Sequence, residues 1–170
     1  MQKPGYRIVY NCSGNGTAFA LSLAEMYSRD YNVFYRYHPY RNTVARKYVA
    51  QGNKYLHLSP LVYFNEQGLK ERIARSDRLS IIIIDDLETL RLRRDNTRPF
   101  VFAGMKYELD RYEVLGKYHM DGKITPLINE WLSYLSRKMK VPVVGVVTSR
   151  PDRHKCKRYQ NQKSPGYVPQ

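Results

Sequence analysis

Acidic residues are scarce in this chain. Asp and Glu together number 15 against 29 Lys and Arg, a formal net charge of +14 over 170 residues. From Tyr31 through Asn65 there is no acid at all. An excess of this size points to a polyanionic partner, nucleic acid first and a strongly acidic protein second; it indicates a class of partner and not an activity. Cysteine is nearly missing too. Cys12 and Cys156 form no CxxC, so neither a disulfide framework nor a cysteine zinc site is supported, and a reducing compartment is the expected setting. Long apolar runs are also lacking. No stretch approaches the length of a membrane span, and residues 1–5 show no signal-peptide pattern, so no membrane partner is expected. Phenylalanine occurs only 5 times and tryptophan once, but tyrosine occurs 16 times. Tyrosine packs, hydrogen-bonds and stacks on bases, which suits an interface-rich protein or a nucleic-acid binder.

The most informative stretch is Ser80-Ile81-Ile82-Ile83-Ile84-Asp85-Asp86-Leu87-Glu88. Four consecutive isoleucines are too uniform for a half-exposed strand. They predict the central strand of a parallel sheet, buried on both faces. The run ends abruptly in Asp85 and Asp86. In open α/β sheets, ligands bind beyond the carboxyl ends of the strands. Two carboxylates there suit Mg²⁺ beside a nucleotide's phosphates, held directly or through water. A solvated acidic turn is the plainer alternative.

Residues 7–11 read as a first strand, followed by the turn Cys12-Ser13-Gly14-Asn15-Gly16. From Thr17, a candidate N-cap, the pattern turns helical. Phe19, Leu23, Met26 and Tyr27 are expected inward, with Ala20 and Ala24 beside them. Strand, glycine turn and helix are the context a phosphate-binding loop needs. Against GxxxxGK[ST], Asn11 replaces the first glycine, Thr17 the lysine and Ala18 the hydroxyl residue. A degenerate nucleotide site of Ser13, Gly14, Asn15, Gly16 and Thr17 can still offer N–H groups to an anion. Without the lysine, hydrolysis at or near background is expected, and no catalytic residue is assigned.

Residues 32–37 read as a second strand and 55–58 as a third. The acid-free segment interleaves Arg36, Arg41, Arg46, Lys47 and Lys54 with seven tyrosines, a pattern suited to backbone tracking and base stacking or to a tyrosine-rich core edge. Residues 66–76 read as a helix with Leu69 and Ile73 inward. A long excursion follows from Leu90 to Gly122, with a helix expected near 105–118. Ile124, Leu127, Ile128, Trp131, Leu132, Leu135 and Met139 then mark the best amphipathic helix, in which Trp131 is core, not ligand-binding. Residues 141–148 read as another buried strand. The chain divides into a core over 1–150 and a basic tail over 151–170 that is expected to be flexible. The candidate nucleic-acid contacts are Arg91, Arg93, Arg94, Arg150, Arg153, Lys155, Lys157 and Arg158.

A glycine turn between strand and helix, an isoleucine strand ending in Asp85-Asp86, and a later strand ending in Thr148-Ser149 occur in that order. The pattern resembles the RecA-like P-loop NTPase core, most closely a eukaryotic recombinase paralogue with a degenerate Walker A and a retained Walker B. A basic segment after Walker B, a long amphipathic helix and a strand ending in a polar pair match that layout. The resemblance implies a three-layer α/β/α domain with a mainly parallel sheet. It further implies ATP and Mg²⁺ shared with or supplied by a partner, Asp85 and Asp86 as metal ligands or a partner contact, and a related RecA-like subunit as that partner. On this reading the protein assists recombinase filaments on single-stranded DNA in homologous recombination and DNA repair, in the nucleus. The paired aspartates followed by Leu87 also resemble replication-initiator and helicase-loader AAA+ proteins. That likeness implies a small AAA+ or packaging-type DNA-dependent ATPase, viral or cytoplasmic. However, the roughly sixty residues from Walker B to the sensor-like strand are more than that branch usually has. A basic structural nucleic-acid-binding protein is the third reading. A phosphoribosyltransferase loop would need a Thr-Gly turn that Leu87-Glu88-Thr89-Leu90 does not supply, and a nuclease built on Asp85, Asp86 and Glu88 lacks a second supporting motif.

Overall fold

The isoleucine run forms the middle strand of a five-stranded sheet. The computed structural model describes residues 4–11, 17–37, 52–60, 65–87, 90, 92–93, 101–102 and 126–147. Its elements in chain order are β1 (Gly5–Tyr10), α1 (Thr17–Tyr27), β2 (Asn32–Tyr37), β3 (Leu56–Pro60), α2 (Glu66–Ala74), β4 (Ser80–Ile84), β5 (Leu92–Arg93), β6 (Val101–Phe102), α3 (Pro126–Met139) and β7 (Pro142–Val147). The sheet order is β1-β7-β4-β2-β3. All four pairings are parallel, with Asn32 opposite Ser80, Ile82 opposite Val143 and Gly5 opposite Pro142. The protein is therefore α/β with a parallel main sheet, as its strand composition predicts. Parallel neighbours need crossovers, so every strand delivers its carboxyl end to the same edge.

Both sheet faces are covered. Ile82 and Ile84 join Leu69 of α2 and Ile128, Trp131, Leu132 and Leu135 of α3 in one buried cluster. Ile81 and Ile83 join Ala20, Leu21, Ala24 and Tyr27 of α1 in the other. All four isoleucines are fully buried, each stabilising by roughly 1.5–3 kcal/mol relative to exposure. Consecutive isoleucines rather than alternating ones are needed because neither face meets water.

The α1 stripe is rotated from the expected one. Met26 is 49 % exposed, whereas Leu21 is fully buried. Ala20 and Ala24 have no bulk to hold the helix off the sheet, so the buried stripe centres on them and turns Met26 outward. Thr17, expected as the N-cap, is already the first helical residue.

In α2, Asn65 caps the N-terminus, its Oδ1 accepting from the Gly68 N–H at 3.0 Å. The end of α3 is closed by Lys140 in the left-handed region (φ 57°), and the Val141 N–H donates to the Ser136 carbonyl at 3.2 Å. This is a Schellman closure with lysine where glycine is usual. Side chains bind α3 to its neighbours. The Tyr6 hydroxyl on β1 donates to Asn129 Oδ1 at 2.8 Å, and Lys138 Nζ reaches Glu66 Oε2 at 2.6 Å.

The excursion after β4 contains a two-residue antiparallel ladder, Leu92 opposite Phe102 and Arg93 opposite Val101, which its charged sequence does not signal. The helix expected over 105–118 and the tail 151–170 lie outside the described residues. Among the described residues no helix is long and apolar enough to cross a membrane.

Candidate functional site

Strand β4 runs past its last isoleucine by one bond. The Asp85 N–H donates to the Arg36 carbonyl at 2.8 Å, which continues the ladder to β2. Alternation along the strand places the Asp85 side chain on the face of Ile81 and Ile83, the face covered by α1. There its Oδ2 accepts from the Tyr35 hydroxyl and its Oδ1 accepts from the Asp86 N–H at 2.7 Å. Tyr35 stands opposite Ile83 in the β2–β4 register, so its ring lies beside the sheet and its hydroxyl reaches the strand's end. Tyr37 stacks alongside, with ring centroids 6.0 Å apart.

The turn after Asp85 requires an unusual backbone. Asp86 has φ 55°, a left-handed conformation that aspartate tolerates better than most residues. The reversal brings Leu87 back into the core on the α3 side, where it is fully buried. It rests on Gly145 of β7. A Cβ built on Gly145 would come 2.6 Å from Leu87 Cδ1 and 3.3 Å from Leu132 Cδ1. Glycine at this position lets the post-strand turn close onto the sheet. Asp85 and Asp86 are both fully buried within the chain, not solvated at its surface.

The end of β1 lies two strands from β4, with β7 between them. The Asn11 N–H donates to the Val147 carbonyl at 2.9 Å, and Asn11 is fully buried. Helix α1, which begins at Thr17, packs on the Asp85 face of the sheet. The fold thus brings Thr17, at the start of α1, and Asp85 to one edge and one face. Ser13, Gly14, Asn15 and Gly16 lie outside the described residues. So do Arg91, Arg94, Arg150, Arg153, Lys155, Lys157 and Arg158, while the Arg93 backbone belongs to β5.

The donor set suits one way of holding a divalent cation better than another. Both Asp85 oxygens accept a hydrogen bond within the chain, and a carboxylate oxygen can accept more than one. This fits a contact through water to a cation carried by nucleotide phosphates, since Mg²⁺ usually keeps several waters and takes one or two carboxylates. Among the described residues no group of three or more His, Cys, Asp or Glu side chains gathers as an all-protein cage would require.

Sequence reasoning missed Tyr35 as the anchor of Asp85. Its signal is present, a tyrosine in a strand adjoining the acidic one, but the pairing depends on a register that composition does not disclose. No protein-family model, no curated protein and no solved structure matches this chain.

Proposed function

We propose that this chain is a three-layer, RecA-like P-loop core that binds a magnesium nucleotide without turning it over efficiently. We further propose that it works as an accessory subunit beside a related P-loop protein on nucleic acid. One observation carries the reading: Asp85, held by Tyr35 and the Asp86 N–H at the carboxyl end of the central strand, shares its face with the helix that follows the glycine turn. The carboxyl edge of the sheet, where β4 ends in Asp85, is the usual ligand position in an open α/β fold.

The residues divide the work as follows. The N–H groups at the start of α1 meet the phosphates, aided by the helix dipole. Asp85 would be the residue facing the nucleotide's cation, with Tyr35 fixing that carboxylate. Bound Mg²⁺ supplies charge neutralisation of the phosphates. Thr17 stands where the charge-neutralising lysine would be, so little transition-state stabilisation is available. The recombinase-accessory assignment in homologous recombination rests on the order of parts, with α3 leading directly into β7 after a basic excursion.

Titration of the purified chain with a fluorescent ATP analogue, with Mg²⁺ and with EDTA, tests the reading. Saturable Mg²⁺-dependent binding that weakens in Asp85→Asn, with hydrolysis at background, is expected. Absence of nucleotide binding would sink it in favour of a basic nucleic-acid-binding protein. Robust DNA-stimulated turnover would replace it with a DNA-dependent ATPase.

A further inference from the structure

Arg36 lies on β2 with 5 % of its surface exposed. Alternation puts it on the face of Phe34, opposite Tyr35 and Asp85. Its Nη1 donates to the carbonyls of Tyr35 at 3.2 Å and His57 at 3.3 Å. Among the described residues no carboxylate pairs with it. Its charged neighbour is instead another cation. The guanidinium carbons of Arg36 and of Arg72 on α2 lie 5.9 and 5.3 Å from the Phe34 ring centroid. The His57 ring stacks on Phe34 with centroids 5.0 Å apart.

The histidine sets the position of the second arginine. Arg72 Nη2 lies 3.1 Å from His57 Nδ1, and His57 Nε2 lies 2.7 Å from Asn32 Oδ1. A guanidinium only donates, so Nδ1 accepts and the imidazole proton sits on Nε2, pointing at the Asn32 carbonyl oxygen. A neutral histidine thus steers Arg72 toward Arg36. Burial first, and Arg72 second, pull the Arg36 guanidinium down to about 10. Taking a cation out of water without a counter-charge is costly. Two carbonyls and a ring face offset part of that cost, but they use a single nitrogen of a five-donor group. The acid nearest Arg72 in sequence, Glu71, accepts from Gln67 Nε2 at 3.3 Å.

We propose that Arg36 and Arg72, presented around the Phe34–His57 stack, form a binding site for a phosphate oxyanion. Guanidinium forks match phosphate geometry, and both Arg36 and His57 sit in the acid-free segment of a chain with net charge +14. The site lies across the sheet from Asp85 and stands whether or not that edge takes a nucleotide.

Melting curves of the full chain in phosphate and in chloride at matched ionic strength test the site, using Arg36→Gln and the exposed Arg72→Ala. Phosphate should raise the wild-type Tm, and both substitutions should abolish the rise. In chloride, Arg36→Gln should melt at or above wild type, because it removes a buried charge that no acid among the described residues offsets. A purely structural Arg36 would give the reverse: no phosphate-induced rise in wild type and a lower melt for Arg36→Gln. Either that result, or a phosphate-induced rise that survives both substitutions, overturns the proposal. Titration with a fluorescent oligothymidylate across a salt series then identifies the source of the phosphate. If nucleic-acid backbone fills the site, Arg72→Ala should weaken binding several-fold and lower the salt slope by about 1. If oligonucleotide affinity holds while the phosphate-induced shift is lost, the occupant is a free phosphate compound, and the site stands.

Discussion

The Tyr35 hydroxyl donates to Asp85 Oδ2 across 50 residues of sequence, with both groups buried. The bond joins neighbouring strands at their carboxyl ends and holds a carboxylate in the interior that would otherwise cost several kcal/mol to desolvate. The position of the acidic pair therefore depends on β2 as much as on β4.

Tyr35→Phe removes that donor and leaves the ring in place. The carboxylate oxygen loses a buried partner, which costs about 1–3 kcal/mol. Urea unfolding of the two proteins measures it. A stability equal to wild type within a few tenths of a kcal/mol would mean that the hydroxyl does not support Asp85.

Gly145→Ala places a methyl group against Leu87 and Leu132. Overpacking of this kind costs about 1–3 kcal/mol. Leu87→Ala in the same chain should recover part of the loss, because it vacates the space the new methyl needs. Strictly additive losses in a double-mutant cycle would contradict the contact.

Lys140→Gly should stabilise the protein by about 0.5–1 kcal/mol, because glycine takes the left-handed turn after α3 without a Cβ penalty. A drop in Tm would show that the lysine side chain contributes more than its backbone strain costs.

His57 predicts a pH dependence. Burial, then Arg72 and Arg36, hold its pKa below the ordinary 6.5. In the window between the folded value and 6.5 the unfolded chain takes up a proton that the native state refuses. Its contribution is therefore complete above 6.5 and is lost as pH falls through the lowered folded value. Denaturation series from neutral to mildly acid pH should show stability falling more steeply in wild type than in His57→Gln. Parallel curves would show that the imidazole does not titrate differently in the two states.

The five strands of the main sheet and the three described helices follow from the order of residues alone, whereas the short β5–β6 ladder does not. Four isoleucines in succession can be satisfied only where both faces are covered, and the 3.6-residue spacing of Ile128, Trp131, Leu132, Leu135 and Met139 requires one buried stripe. Those constraints are local, so the parallel sheet, its central strand and the core role of Trp131 are legible without coordinates. The stripe of α1 is less legible, because two alanines accept more than one rotation and only the sheet beneath decides that Met26 faces out. Strand order and register are decided by tertiary structure, since they depend on which distant segments share a face. Register is what brings Tyr35 to Asp85, lays Leu87 on Gly145 and turns Arg36 to the face where Arg72 lies, with no acid paired to it among the described residues. A sequence shows that tyrosine, aspartate and arginine are present; the pleat and the pairing of β2 with β4 send Tyr35 and Asp85 to one side of the sheet and Arg36 to the other.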